Sequence, residues 1–167
     1  MSDFGMDLDV VDEQGDVLRT LPSQKIHERG LLHRSVHILV FNRAGEVYVR
    51  ERSPSLELYP GVWTSSVGDH VFHDETLDDT ARRALRDFLG LETPLAPKGR
   101  SHVQDAIENE LMSVFLTRAE EIPYLNPDHS EAGRFLGTDR VRSLIGEHKT
   151  TPHLAAAIGL CSDSVET

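Results

Sequence analysis

Two glutamates separated by one residue, Glu108 and Glu110, carry a clear chemical signal in this chain of 167 residues. In a strand, residues i and i+2 project from the same face, about 7 Å apart along the chain. Carboxylates in that arrangement can present hard oxygen ligands to a divalent cation. The chain also contains nine histidines, and imidazoles beside carboxylates favour Mn²⁺, Zn²⁺ or Fe²⁺ over a cation that prefers oxygen alone. A His/Glu metal site is the first hypothesis, and a solvated strand face is its alternative.

A second pattern lies between residues 76 and 90, where the apolar residues recur at helical spacing. Thr76 is a suitable N-cap, acidic residues follow it in the first turn, and Gly90 is a natural stop. The sequence therefore predicts an amphipathic helix. The apolar side of this helix consists of Leu77, Ala81, Ala84, Leu85 and Phe88.

The segment from Gly68 to Leu91 resembles the Nudix box, a loop and helix whose glutamates hold Mg²⁺ or Mn²⁺ against a substrate diphosphate. When the box is aligned on its last pair, Gly90 and Leu91, the residues Glu75, Arg83 and Leu85 fall in register, and Asp87 replaces one glutamate.

Three positions depart from the box. Asp69 stands at the opening glycine, and Ala84 and Phe88 stand where glutamates are expected. We expect Ala84 and Phe88 to pack in the core, because they lie on the apolar side of the helix. For Glu75 and Asp87, a metal contact and a solvated surface position remain open alternatives.

A broader resemblance extends from about His27 to Leu116. Residues 59–67 read YPGVWTSSV and are followed by His70, residues 27–42 read HERGLLHRSVHILVFN, and residues 107–110 read IENE. These segments resemble type 1 isopentenyl diphosphate isomerases, a branch of the Nudix superfamily. The resemblance implies an α+β fold, a Nudix-type α/β/α sandwich with a mixed sheet. It also implies a divalent-metal site whose ligands are His27, His33, His70, Glu108 and Glu110.

The chain differs from those isomerases at functional positions. Gly68 stands where they carry a catalytic cysteine, so there is no side chain to move a proton at the allylic carbon. Acidic or apolar residues replace part of their diphosphate-binding cations, which leaves Arg50 and Arg52 as the local phosphate-binding candidates. Isomerisation by the cysteine mechanism is therefore disfavoured.

These residues predict a metal-dependent Nudix-fold hydrolase, divergent or weak, that cleaves a phosphoanhydride in a small nucleoside or isoprenoid diphosphate. Its metal would be Mg or Mn, with Zn or Fe as alternatives at a His/Glu site. The alternatives are an isomerase-like activity or a catalytically silent ligand-binding module. The candidate catalytic residues are Glu110, Glu108, Glu75 and Asp87.

The elements that must position these residues follow from the apolar pattern. We predict strands at 7–11, 17–18, 34–41, 47–49, 63–67, 101–103, 110–117 and 133–136, and helices at 76–89, 138–145 and 151–161, with a threonine cap on the second of these helices. We predict a single domain over residues 1–167, with a peripheral N-terminal hairpin within 1–30 and a frayed tail at 162–167. The remaining histidines are interpreted as surface or core residues, and they include His37, His102, His129, His148 and His153.

Composition restricts the partners. The chain has 17 Lys and Arg against 28 Asp and Glu, a formal charge of −11, which disfavours nucleic acids and anionic membrane surfaces. One cysteine, Cys161, cannot form an internal disulfide, and no apolar run reaches membrane-spanning length. We expect a cytoplasmic protein that binds a small diphosphate, and no sequence feature indicates an oligomeric state.

Overall fold

The computed structural model describes residues 5–130 and 132–162, and for Ser162 only the backbone. The elements in chain order are β1 (Asp7–Val11), β2 (Val17–Pro22), α1 (Ser23–Arg29), β3 (His33–Phe41), β4 (Val47–Glu51), β5 (Trp63–Thr64), β6 (Val67–His70), α2 (Leu77–Leu89), β7 (Ala96–Gln104), β8 (Asn109–Arg118), β9 (Ala132–Leu136), α3 (Thr138–Gly146) and α4 (Pro152–Ser162). The fold is a single α+β domain with a mixed sheet, as the sequence predicts.

Strand β3 is the centre of the sheet. It pairs with β8 in parallel along its whole length, from His33 opposite Glu110 to Phe41 opposite Arg118. It also pairs with β6 in antiparallel orientation between Ser35 and Ile38. The outer strands are antiparallel, with β7 on β8 and β9 on β4.

Alternation along β3 produces two cores, one on each side of the sheet. Val36, Ile38 and Val40 pack against α2, whereas Leu39 faces the layer formed by α3 and α4. The residues of α2 that pack in the first core include Ala84 and Phe88, so their predicted core position is confirmed. This packing provides the helix–sheet–helix layering of the fold.

The limits of α2 match the prediction. Oγ1 of Thr76 accepts a hydrogen bond from the backbone N–H of Asp79 at 3.1 Å, which is the expected N-cap contact. Gly90 ends the helix with φ 67°, in the left-handed region that favours glycine. Local chemistry alone therefore fixes both ends of this helix.

Other elements differ from the sequence prediction. The helix α1, which carries His27, was not predicted, because its seven residues are too few to show a clear apolar period. The strand predicted at 63–67 is two short strands separated by Ser65 and Ser66. The predicted threonine cap of α3 is wrong, since Gly137 occupies the N-cap position without a side-chain hydrogen bond.

The N-terminal hairpin is less peripheral than expected. Most of β1 is buried, and Val10 of β1 pairs with His33 of β3, while β2 is largely exposed. Residues 163–167, which hold most of the predicted frayed tail, lie outside the described residues. Within the described chain, no helix is long and apolar enough to cross a membrane.

Candidate metal centre and cleft

One end of the β3–β8 pair brings the candidate ligands to a single face. His33 is the register partner of Glu110 on β8, and Ser35 is the register partner of His70 on β6. Glu108 immediately precedes β8 and lies two residues from Glu110. Paired residues share a face of the sheet, and so do residues i and i+2. Strand register therefore accounts for four of the five proposed ligands.

His27 reaches the same place from α1. Gly30 ends that helix in the left-handed region at φ 62°, so the chain reverses into β3. The ring centroids of His27, His33 and His70 are each 5.0 Å from one another. The five side chains to which the isomerase resemblance points are thus brought together by the structure.

The carboxylates lie against these rings. Oε2 of Glu108 is 3.6 Å from Nε2 of His27 and 3.8 Å from Nε2 of His33. Oε1 of Glu110 is 3.0 Å from Nε2 of His70 and 3.7 Å from Nε2 of His33. One ligand atom from each of His27, His33, His70 and Glu108 can be chosen so that all four lie within 4.8 Å of one another.

Two observations show that this donor set fits a cation. Nδ1 of His27 and Nδ1 of His33 each lie 2.9 Å from a backbone carbonyl, those of Ser23 and Leu31. A hydrogen bond from Nδ1–H directs the lone pair of Nε2 toward the cluster, as is usual for metal-binding histidines. Among the described residues, Nε2 of His33 and Oε2 of Glu108 are buried without a hydrogen-bond partner, which is costly unless another group satisfies them.

The electrostatics keep Glu110 ionised. Burial by itself would raise its pKa, but the hydrogen bonds with His153 and His70 and the nearby ring of His33 outweigh that effect and hold the pKa well below its usual value. A carboxylate in this state is ready to bind a cation. At the outer side of the cluster, the adjacent Glu108 carboxylate raises the pKa of His27, despite the opposing effect of burial.

His37 and His153 are additions that the sequence interpretation missed. Nε2 of His153 lies 2.5 Å from Oε2 of Glu110, and the His37 and His153 rings stack with centroids 4.9 Å apart and planes 7° apart. Both histidines line the cleft, so their interpretation as surface or core residues without a role in the site is incomplete. The signal for His37 was its spacing, because it lies four residues beyond His33 on the same strand face. His153 is placed there by α4, and no local pattern pointed to it.

The cleft beside this cluster has a volume of about 360 Å³, within the range of small-ligand pockets. Arg50 and Arg52 both line it. Nε of Arg50 donates to the carbonyl of Ser65 at 2.9 Å, and Nη1 donates to Oγ of Ser130 at 2.8 Å. Burial, with the nearby charge of Arg52, lowers the pKa of Arg50 to about 9, so its guanidinium stays charged at neutral pH. The cleft thus holds a fixed positive charge close to the carboxylates.

Arg52 is held at the cleft by backbone contacts. Its Nη2 donates to the carbonyl of Leu58 at 2.8 Å, and its Nε lies 3.2 Å from the carbonyl of Tyr59. The Tyr59 hydroxyl in turn donates to Oδ2 of Asp105 at 2.7 Å. Arg52 therefore supports the loop at 53–59 as well as the charge of the cleft.

Glu75 and Asp87 do not join the cluster. Nε of Arg83 donates to Oε2 of Glu75 at 2.8 Å, and Nη1 of Arg83 donates to Oδ2 of Asp69 at 2.8 Å. Asp87 lies on the exposed side of α2. Neither Glu75 nor Asp87 is among the residues that line the cleft, so the geometry gives no support to their predicted catalytic role. Glu75 and Arg83 instead form an ion pair that holds the loop at 71–76 against helix α2.

Phe88 occupies the place where the isomerases keep a glutamate. Its ring stacks on His129, with centroids 3.8 Å apart and planes 7° apart. The guanidinium carbon of Arg50 lies 5.1 Å from the Phe88 ring centroid. An aromatic ring beside a guanidinium therefore takes the place of that glutamate, while Asp69 and Asp128 are carboxylates that also line the cleft.

Comparison with known proteins agrees with the fold. The NUDIX domain model matches residues 31–154. The uncharacterized Nudix hydrolase PA4841 of Pseudomonas aeruginosa is 31% identical over 157 residues, which cover 93% of this chain and 87% of that protein. An isopentenyl-diphosphate Delta-isomerase of Salmonella paratyphi B is 34% identical over 127 residues, 71% of this chain and 70% of that protein.

Solved structures give the same result. The crystal structure of DR0079 from Deinococcus radiodurans superposes with a TM-score of 0.79 at 26% identity, and the match covers 93% of this chain and 98% of that one. Hydrolases and isomerases are both found among the relatives. The match to the domain model spans most of the chain, and the chain therefore belongs to the NUDIX domain family.

Proposed function

We propose that this protein is a divalent-metal-dependent hydrolase that cleaves a phosphoanhydride bond in a small nucleoside or isoprenoid diphosphate. One observation carries the proposal. Three imidazoles and two carboxylates converge at the end of a cleft that also contains two arginines. This combination suits a diphosphate, because the cation and the arginines can neutralise its charge together.

In this proposal His27, His33, His70, Glu108 and Glu110 would hold the metal. Bound there, the metal would supply Lewis-acid stabilisation of the charge that develops on phosphate oxygens. Nudix relatives generally use divalent metals, and the three imidazoles favour Mn²⁺, Zn²⁺ or Fe²⁺ over Mg²⁺. The unsatisfied buried atoms of His33 and Glu108 support occupancy of the site.

The chain's own residues supply binding and proton transfer. Arg50 is anchored by Ser65 and Ser130, and these bonds use two of the five guanidinium donors. Its remaining donors are proposed to bind phosphate oxygens, with Arg52 beside it. Glu108 and Glu110 are proposed to share the roles of metal ligand and general base for the attacking water.

The test is turnover with defined metals. The purified chain would be stripped with EDTA, reloaded with Mg²⁺ or Mn²⁺, and incubated with a panel of nucleoside and prenyl diphosphates, with products followed by ³¹P NMR. We expect release of phosphate or monophosphate, and a fall in kcat of about 10²-fold or more in Glu108→Gln and Glu110→Gln. His148→Ala, at an exposed position in the turn after α3, is the matched control and should leave kcat unchanged.

The absence of turnover across the whole panel, with metal binding shown by calorimetry, would contradict the hydrolase proposal. Ligand binding without turnover would instead support the catalytically silent module.

An isomerase-like activity is a second candidate, favoured by one specific observation. The ring of His37 fills the space beside Gly68 and offers an ionisable group close to Glu110. Burial and the neighbouring His153 hold the pKa of His37 well below its usual value, so it would have to act as a neutral imidazole. Incubation with isopentenyl diphosphate in D₂O, followed by proton NMR, would show double-bond migration or deuterium uptake if this activity exists.

A further inference from the structure

We infer that the cleft binds a second divalent cation, held by His37, Glu110 and His153, with Glu110 shared between the two metal positions. The inference rests on the metal site of the proposed function, and it adds a second site of different composition. It concerns the two histidines that the family resemblance does not assign.

The three side chains have the composition and burial of a metal site. His37, Glu110 and His153 are 7%, 3% and 6% exposed. Each offers a ligand atom within 4.8 Å of those of the other two. All three line the cleft, so a cation held by them would face bound substrate. Three protein ligands with an open side are the usual composition of catalytic metal sites.

The two oxygens of Glu110 point to different partners. Oε1 faces His70 at 3.0 Å and His33 at 3.7 Å. Oε2 faces His153 at 2.5 Å and accepts a hydrogen bond from Oγ of Ser35 at 3.2 Å. A carboxylate with histidines on both of its oxygens is suited to bridge two cations, as in sites where paired metals act on one phosphoryl group.

His37 has the second hydrogen bond that metal-binding histidines usually make. Its Nδ1 lies 2.9 Å from Oγ of Ser65, which leaves Nε2 as the nitrogen for a ligand. The stacked ring of His153 fixes the orientation of His37.

Gly68 provides the space for this arrangement. A Cβ at position 68 would lie 2.5 Å from Cε1 of His37, closer than side chains tolerate. The loss of a side chain at the position where the isomerases keep cysteine therefore permits a second imidazole beside Glu110. We therefore assign the glycine at position 68 to making room for a metal-binding histidine.

A cation in the second site would replace the hydrogen bond between His153 and Glu110. The two atoms must then move apart, because two ligands at about 2.1 Å from one Zn²⁺-like cation are separated by more than 2.5 Å. The charge balance favours this exchange when a diphosphate is present. Two divalent cations and Arg50 would oppose the charge of the substrate and of the two glutamates.

Metal stoichiometry tests the inference without any substrate. The EDTA-treated chain would be titrated with Mn²⁺ by calorimetry, and the bound metal measured by mass spectrometry. We expect two Mn²⁺ per chain in the wild type and in the His148→Ala control, and one in His37→Ala and in His153→Ala. His27→Ala leaves four ligands at the first site, so it should weaken binding of the first Mn²⁺ and keep the number of bound ions at two. Carboxylate bridging predicts an exchange-coupled Mn²⁺ EPR spectrum in the wild type that is lost in His37→Ala and in His153→Ala.

One Mn²⁺ per wild-type chain, or two in folded His37→Ala and His153→Ala, would overturn the inference. Circular dichroism establishes whether the variants fold. If they do not fold, the EPR spectrum of the wild type tests the inference, because an uncoupled spectrum would show that Glu110 does not bridge two Mn²⁺ ions. One metal with full diphosphate turnover would contradict this inference alone. Two metals without turnover would contradict only the proposed hydrolase, and no bound metal would contradict both.

Discussion

The imidazole of His37 lies where any side chain on Gly68 would have to stand. The two residues are register partners on β3 and β6, and a Cβ on Gly68 would be 2.5 Å from Cε1 and 2.9 Å from Nδ1 and Nε2 of the His37 ring. The ring cannot withdraw freely, because it stacks on His153 and bonds to Ser65. The absence of a side chain at position 68 is thus a packing requirement of the cluster.

Gly68→Ala is expected to destabilise the protein by about 1–3 kcal/mol through overpacking. His37→Ala in the same chain should recover part of that loss, since it removes the ring that the new methyl group meets. A double-mutant cycle in urea measures the coupling. Gly146→Ala is the control, because nothing lies near its Cβ, and as the last residue of α3 it should leave stability unchanged or raise it by up to about 1 kcal/mol. Additive effects of the two site substitutions would show that the ring and the methyl group do not meet.

Arg83 is expected to be a structural residue of the box. Its side chain bonds Asp69, whose side chain is 2% exposed, and also Glu75. Arg83→Ala leaves the Asp69 charge buried without this partner, so we expect a loss of about 3 kcal/mol in unfolding free energy. Arg82→Ala, on the same helix with a side chain 67% exposed, should have an effect below about 0.5 kcal/mol. Equal effects in the two variants, measured by chemical denaturation, would refute the structural role.

Metal loading is expected to stabilise the folded chain. A cation present at 100 times its dissociation constant adds about 2.7 kcal/mol, which corresponds to a rise in Tm of about 5–10 °C for a domain of this size. Differential scanning calorimetry with EDTA and with Mn²⁺ measures the shift. His33→Ala should reduce the shift strongly, and His148→Ala, at an exposed position, should not. A shift that is the same in both variants would place the binding outside the His/Glu cluster.

The stability of the N-terminal hairpin should depend on pH through Asp9. Burial would raise the pKa of Asp9, but hydrogen bonds from Thr20 and His73 and the charges of His73 and Arg34 outweigh it, so the pKa lies below 3.8. The ionised form is therefore favoured in the folded state. The contribution of ionised Asp9 to the free energy of unfolding is present above about pH 3.8. It is lost as the pH falls through the lower pKa that Asp9 has in the folded state.

His73 sets the other limit of this pH dependence. The hydrogen bond to Asp9 raises its pKa above 6.5, so the charged pair weakens as the pH rises through that raised value. Asp9→Asn should cost about 1–3 kcal/mol between pH 4 and pH 6.5, and less on either side. Urea denaturation from pH 3 to pH 9 would check this, and a cost that does not vary with pH would show that the charge of Asp9 is unimportant.

The sequence by itself determined the parts of this protein that depend on local chemistry. The limits of α2 follow from Thr76 and Gly90, and the core positions of Ala84 and Phe88 follow from helical spacing. Strand alternation placed Glu108 and Glu110 on one face, and the family motifs identified the three histidines that the structure brings to them. These properties are set by neighbours within a few residues, or by motifs that keep a fixed spacing.

Only the tertiary structure decided which of the remaining polar residues belong to the site. His153 and Glu110 are 43 positions apart in the sequence. They meet because α4 packs on the face of the sheet to which β3 contributes Leu39 and β8 contributes Met112. His37 faces the cleft because β6 offers a glycine opposite it, and Glu75 is held by Arg83 instead of facing the cluster. Such contacts depend on strand register and on the docking of distant elements, and the spacing of residues within one segment does not encode them.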